Sequence, residues 1–89
     1  MARYIAIPGE SQLQLYEGGI ELEELQTAVG GKGWGGYIEP VYLDGMLMLV
    51  NEDAIVQFQP VNDLASHLAG AKIFGPALIF TGEDQSVLQ

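Results

Sequence analysis

The residues of this chain best suited to holding a ligand stand together just after its first helix signal. Gly30, Gly31, Gly33, Gly35 and Gly36 surround Lys32 and Trp34, and Tyr37 and Glu39 follow directly. Successive glycines let backbone N–H groups turn toward one point and form an anion-binding nest. Lys32 adds a point charge, and it is one of only three basic residues in the chain. The Trp34 indole offers a flat face on which a nucleobase can stack. Together these are the parts needed to hold a nucleotide-like small molecule. The run matches neither G-x-x-x-x-G-K-[ST] nor a strand-borne G-x-G-x-x-G. Its plainer reading is a glycine-rich connection whose Trp34 packs on a sheet or into a subunit interface. The candidate ligand-binding residues are Gly31, Lys32, Gly33, Trp34, Gly35, Gly36, Tyr37 and Glu39, with Asn51 at the far end of the hairpin that follows.

Catalytic chemistry has fewer parts to work with. The chain contains no cysteine and a single histidine, His67. Ser66 and His67 are sequence neighbours in a helical stretch, so their side chains diverge by about 100° and form no nucleophile–base pair. A lone histidine in a last helical turn reads as a surface cation near the negative end of the helix dipole. Among the twelve carboxylates, Glu39 has the best setting for a raised pKa, beside Tyr37 and Pro40 in a strand. Its plainer reading is a solvent-facing strand residue. No H-x-x-x-H or EF-hand spacing is present. Glu21, Glu23 and Glu24 cluster at a helix start, where the dipole favours them without a cation. The expectation is a protein that is not an enzyme and carries neither metal nor cofactor.

Charge narrows the partners. Twelve acidic residues against three basic ones give a formal net charge of −9. Such a chain repels phosphate backbones and anionic membranes at long range, which argues against direct nucleic-acid or membrane binding. It suits a basic protein partner, including one whose nucleic-acid site it would occupy as a mimic. The bland alternative is solubility alone. Hydrophobic residues make up 48% of the chain, a large share for so short a sequence, and this makes a homo-oligomer an expectation. The apolar runs are too short to span a membrane and the start carries no signal-peptide pattern, so the expected compartment is the cytoplasm.

The elements that must position these residues can be read in order. Residues 3–7 (RYIAI) form a short strand closed by Pro8-Gly9. Residues 11–16 (SQLQLY) alternate with period two and fit a half-buried second strand. Leu22, Leu25 and Val29 fall on one face of a helix over residues 21–29, with Gly30 as a left-handed C′ cap. Residues 37–43 and 46–50 flank Asp44-Gly45, a pair that tolerates a type I′ turn. Pro40 marks the first arm as an edge strand or as the place of a bulge. The second arm, MLMLV, is apolar on both faces, as in a central strand covered on both sides. Residues 54–59 (AIVQFQ) read as a short extended segment. Asn62 caps a second helix over residues 63–69, which Gly70 stops. A final strand occupies residues 72–81, interrupted at Gly75-Pro76. The chain of 89 residues is one small α+β domain: a mostly antiparallel sheet of about five strands in the order β-β-α-β-β-α-β, with two short helices on one face.

Several of these segments are similar to a family of small bacterial and phage proteins, domain of unknown function 3846. The resemblance rests on a leucine-patterned helix running into Gly-Gly and then Tyr37-Ile38-Glu39, on Val50-Asn51-Glu52-Asp53, on Asn62-Asp63-Leu64-Ala65, and on Ile73-Phe74-Gly75-Pro76-Ala77. In the pattern expected, the helix passes through two glycines straight into the Tyr-Ile-Glu strand. Here Lys32-Gly33-Trp34-Gly35-Gly36 is interposed. The resemblance implies no activity, catalytic residue or cofactor. It implies a setting, an accessory protein often encoded by phages or mobile elements.

Two functions of different class follow. One is a non-catalytic binder that sequesters a small nucleotide-like signal through the Lys32/Trp34 loop, in the manner of an anti-defence protein. The other is an acidic protein-interaction module that docks on a basic host protein.

Overall fold

The computed structural model describes residues 2–30 and 37–82. Its elements run β1 (Ala2–Ala6), β2 (Gln14–Leu15), α1 (Leu22–Gly30), β3 (Ile38–Leu43), β4 (Met46–Asn51), α2 (Asp63–Ala69) and β5 (Ala77–Thr81). The α+β class and the element order are those the sequence predicts.

All five strands form one antiparallel sheet in the order β2-β1-β5-β4-β3. The last strand to be made is thus the middle one. β5 pairs Ala6 with Ala77 on one side and Leu49 with Leu78 on the other. Its residues Ala77, Leu78, Ile79 and Phe80 are all buried, as expected of a strand that reads as a continuous apolar run.

The helices do not share a face, contrary to the expectation from sequence. Met48, Val50, Ala77, Ile79 and Ala6 form one core with Ala65, Leu64 and Leu68 of α2. Leu47, Leu49, Leu78 and Phe80 form another with Leu25 and Val29 of α1. Side chains alternate across a strand, so odd and even positions of β4 and β5 fill opposite cores. With apolar residues at every position, both faces need a cover, and one helix goes to each. The result is three layers, α1 over the sheet over α2.

Four local readings also change. Residues 52–58 form consecutive turns, not an extended segment. In the hairpin, Gly45 has φ +77° but Asp44 stays at negative φ, so the turn has the sign pattern of type II rather than type I′. Gly30 ends α1 within the helix and does not take a left-handed conformation. β2 is cut to two exposed residues at the sheet edge, while Leu13 and Tyr16 on either side of it tuck into opposite cores.

Pro40 sits where a proline does least harm. β3 is an edge strand, and the two-residue turn makes Leu43/Met46 the closing hydrogen-bonded pair. Counting back in steps of two leaves Pro40/Leu49 a non-hydrogen-bonded pair, so the missing N–H would have faced outward. The ladder then continues past the strand, with Glu52 N–H donating to the Tyr37 carbonyl at 2.8 Å.

Candidate functional site

Gly31, Lys32, Gly33, Trp34, Gly35 and Gly36 lie outside the described residues. Both ends of that segment are fixed by one partner, the turn segment 52–59. At the α1 end, Gln59 Nε2 donates to the Gly30 carbonyl at 2.9 Å. At the β3 end, Glu52 N–H donates to Tyr37 O. The hairpin of β3 and β4 brings Gly30 and Tyr37 to the same corner of the sheet as this turn.

The turn is itself built from Asn51. Its Oδ1 accepts from Asp53 N–H at 2.9 Å, an Asx-turn, and its Nδ2 donates to Gln57 Oε1 at 2.7 Å. Asn51 is buried, so its amide serves the turn. Beyond it, Ala54 N–H donates to Asn51 O and Gln57 N–H to Asp53 O, giving one turn of helix-like winding. The winding ends with Phe58 N–H on Ile55 O at 3.0 Å and Gln59 N–H on Ala54 O at 2.9 Å. These two bonds make a Schellman cap, with Phe58 at C′ in the left-handed region, φ +57°. That position is most often glycine. Phe58 is also 93% exposed, and Ile55 and Val56 beside it are 67% and 72% exposed.

A cleft of about 110 Å³ opens at this corner, lined by Glu39, Val50, Asn51, Glu52, Ala54, Ile55, Lys72, Ile73 and Phe74. Glu39 and Asn51 thus meet, as candidates from the sequence, on one cleft. Glu39 stands opposite Val50 in the ladder. Tyr37 is exposed just before β3 and does not line the cleft. The cleft brings in Lys72, which the sequence reading did not single out. Its volume falls short of the roughly 300–1,000 Å³ of a small-molecule pocket.

Elsewhere Asn62 and Ser66 serve the fold. Asn62 is fully buried. Its Oδ1 caps α2 by accepting from Ala65 N–H at 3.0 Å, and its Nδ2 donates to Ala6 O and Gly75 O, each at 2.9 Å. Ser66 Oγ accepts from Ile73 N–H at 2.7 Å and donates back to Ile73 O, so its hydroxyl ties α2 to the chain leading into β5. His67 is exposed in the last turn of α2. Tyr16 donates its O–H to Gly19 O at 2.7 Å. Burial pushes the Tyr16 phenol above its ordinary pKa, with Glu24 adding to the rise and Arg3 opposing it. Glu21, Glu23 and Glu24 are exposed. Among the described residues, no three carboxylate or imidazole groups converge to hold a metal ion, and no helix is long and apolar enough to cross a membrane.

The sequence missed the apolar knuckle of Ile55, Val56 and Phe58. Its alternation of Val56, Gln57, Phe58 and Gln59 imitates a strand. The signal that it is a turn lies upstream, in the Asn51-x-Asp53 spacing of an Asx-turn.

The fold and this corner define a small acidic α+β domain with an antiparallel sheet held between two helices and a shallow cleft at one sheet end. The chain belongs to the family of domain of unknown function 3846, whose model matches residues 1–87. No curated protein and no solved structure matches it.

Proposed function

We propose that this protein is a non-catalytic binder whose working surface is the corner where Gly30 and Tyr37 meet the turn 52–59. The observation that carries the reading is the double anchoring of the glycine segment. Gln59 holds one end at Gly30 and Glu52 holds the other at Tyr37, beside a cleft that contributes Lys72, Glu39 and Asn51. A loop with fixed ends can offer its backbone N–H groups to an anion at a lower entropic cost than a free one. Lys32 and Trp34 supply the charge and the stacking face for a nucleotide-like small molecule. Stoichiometric capture of such a signal in the host cytoplasm is the role this chemistry fits, as an anti-defence accessory of a phage or mobile element.

The test is thermal unfolding with a panel of mono-, di- and cyclic nucleotides, alongside native mass spectrometry for subunit number and co-purified adducts. A true ligand at 100 times its Kd adds about 2.7 kcal/mol to stability, and Trp34→Ala should remove that gain. No shift with any nucleotide, and no effect of Trp34→Ala, would end this reading.

A second reading has its own support. The charge of −9 and the exposed apolar turn at Ile55, Val56 and Phe58 favour docking on a basic protein. Binding of that kind weakens steeply as salt is raised. A salt-indifferent interaction would argue against it.

A further inference from the structure

Phe58 is the most exposed large apolar side chain among the described residues, at 93%. It is also their one non-glycine residue at positive φ. Either property alone is tolerable. A bulky residue in the left-handed region is a genuine outlier, retained only where the surroundings impose it. Here the imposing structure is the Schellman cap closed by Phe58 N–H on Ile55 O and Gln59 N–H on Ala54 O. That cap would form better with glycine at the same place. Among the described residues nothing repays the phenyl ring, because almost none of it is buried. A strained backbone carrying an unburied aromatic side chain gains its contacts elsewhere.

We propose that Phe58 is the anchor of a docking knuckle, with Ile55 and Val56 beside it, that inserts into an apolar pocket ringed by lysine or arginine on a partner protein. This rests on the second reading above and names its contact surface. Charge chooses the partner. The knuckle's neighbourhood holds the carboxylates of Glu39, Glu52 and Asp53 against Lys72, and the whole chain carries −9. A second copy would bring another −9 to the same contact. A basic rim instead complements the carboxylates while the pocket takes the ring. The geometry resembles the anchors of known interfaces, where one buried aromatic side chain holds most of the binding energy and the polar rim sets orientation and on-rate.

The experiment uses the full chain, ¹⁵N-labelled, titrated with a helical peptide bearing leucine on one face and lysine on the other. An otherwise equal peptide with glutamate in place of lysine is the control. Shifts concentrated at residues 53–59 are expected with the lysine peptide only, and they should weaken with salt. Phe58→Gly should weaken binding about 30-fold, as truncation of an anchor does, while raising the unfolding temperature by roughly 4 °C through relief of the left-handed strain. Tyr42→Ser, at another exposed aromatic position, should leave binding unchanged. Salt-sensitive binding that maps elsewhere and ignores Phe58→Gly overturns the knuckle but leaves the acidic docking role standing. No binding of the lysine peptide overturns both. Concentration-dependent dimerisation abolished by Phe58→Gly assigns the knuckle to a second copy and overturns the basic partner.

Discussion

Two short windings of this chain end in the same backbone conformation but on opposite kinds of residue. α2 stops at Gly70, φ +69°, whose N–H closes on Ser66 O. The turn 54–57 stops at Phe58, φ +57°. The first ending follows every local rule: an Asn62 cap, a buried Ala65, a glycine where Cβ is unwelcome. The second breaks the rule at its last residue and leaves the offending side chain in solvent. Natural sequences are locally consistent except where something beyond folding is selected. α2 therefore reads as framework. The turn reads as a working part.

The largest expected effect lies on the framework side. Asn62→Ala removes the α2 cap and strips the Nδ2 donor from two carbonyls, Ala6 O and Gly75 O. A lost cap and two orphaned buried acceptors together cost about 3 kcal/mol, readable as a lower urea midpoint. A loss under about 1 kcal/mol would show that the contrast between the two windings is overdrawn.

Next come two substitutions that should move stability in opposite directions. A Cβ at Gly70 meets no atom within 4 Å, so Gly70→Ala isolates the backbone term and should cost about 1 kcal/mol. Phe58→Gly should gain about 1 kcal/mol for the same reason reversed. If Phe58→Gly destabilises the protein instead, the ring supports the fold and the comparison collapses.

The smallest effect sharpens the picture of the α1 face. Tyr16→Phe loses one half-buried hydrogen bond to Gly19 O, about 0.5 kcal/mol. Its pH signature is more specific. The Tyr16 phenol is raised in the folded state, first by burial and then by Glu24. The unfolded chain therefore gives up this proton first. Stability from the group is complete below the ordinary tyrosine range near 10 and declines as pH rises through the folded value. Tyr16→Phe should flatten that alkaline decline, as followed by unfolding midpoints between neutral and alkaline pH.

Much of the frame was legible in the sequence because it depends on neighbours along the chain. Asn62 and Gly70 bound α2 at the residues the capping rules name. Pro40 marked β3 as an edge strand or a bulged one, since a proline is tolerated where no ladder N–H is needed, and the fold took the edge. The Tyr37, Val50 and Ile73 motifs identified the family. The candidate site was legible in part. Glu39 and Asn51 line one cleft, yet Asn51 proved to be committed to holding the turn, and Lys72 entered only through the fold.

By itself, then, the sequence determined the class, the element order, the caps of α2 and the acidic character, all of which follow from local periodicity and composition. Tertiary structure decided the rest. An all-apolar MLMLV strand demands cover on both faces, but only packing assigns α1 to one and α2 to the other. Placing β5 between β1 and β4 depends on pairing partners far apart in the chain, which no local pattern encodes. And a phenylalanine in AIVQFQ is indistinguishable from a core residue until the fold bends the backbone under it and turns the ring out to solvent.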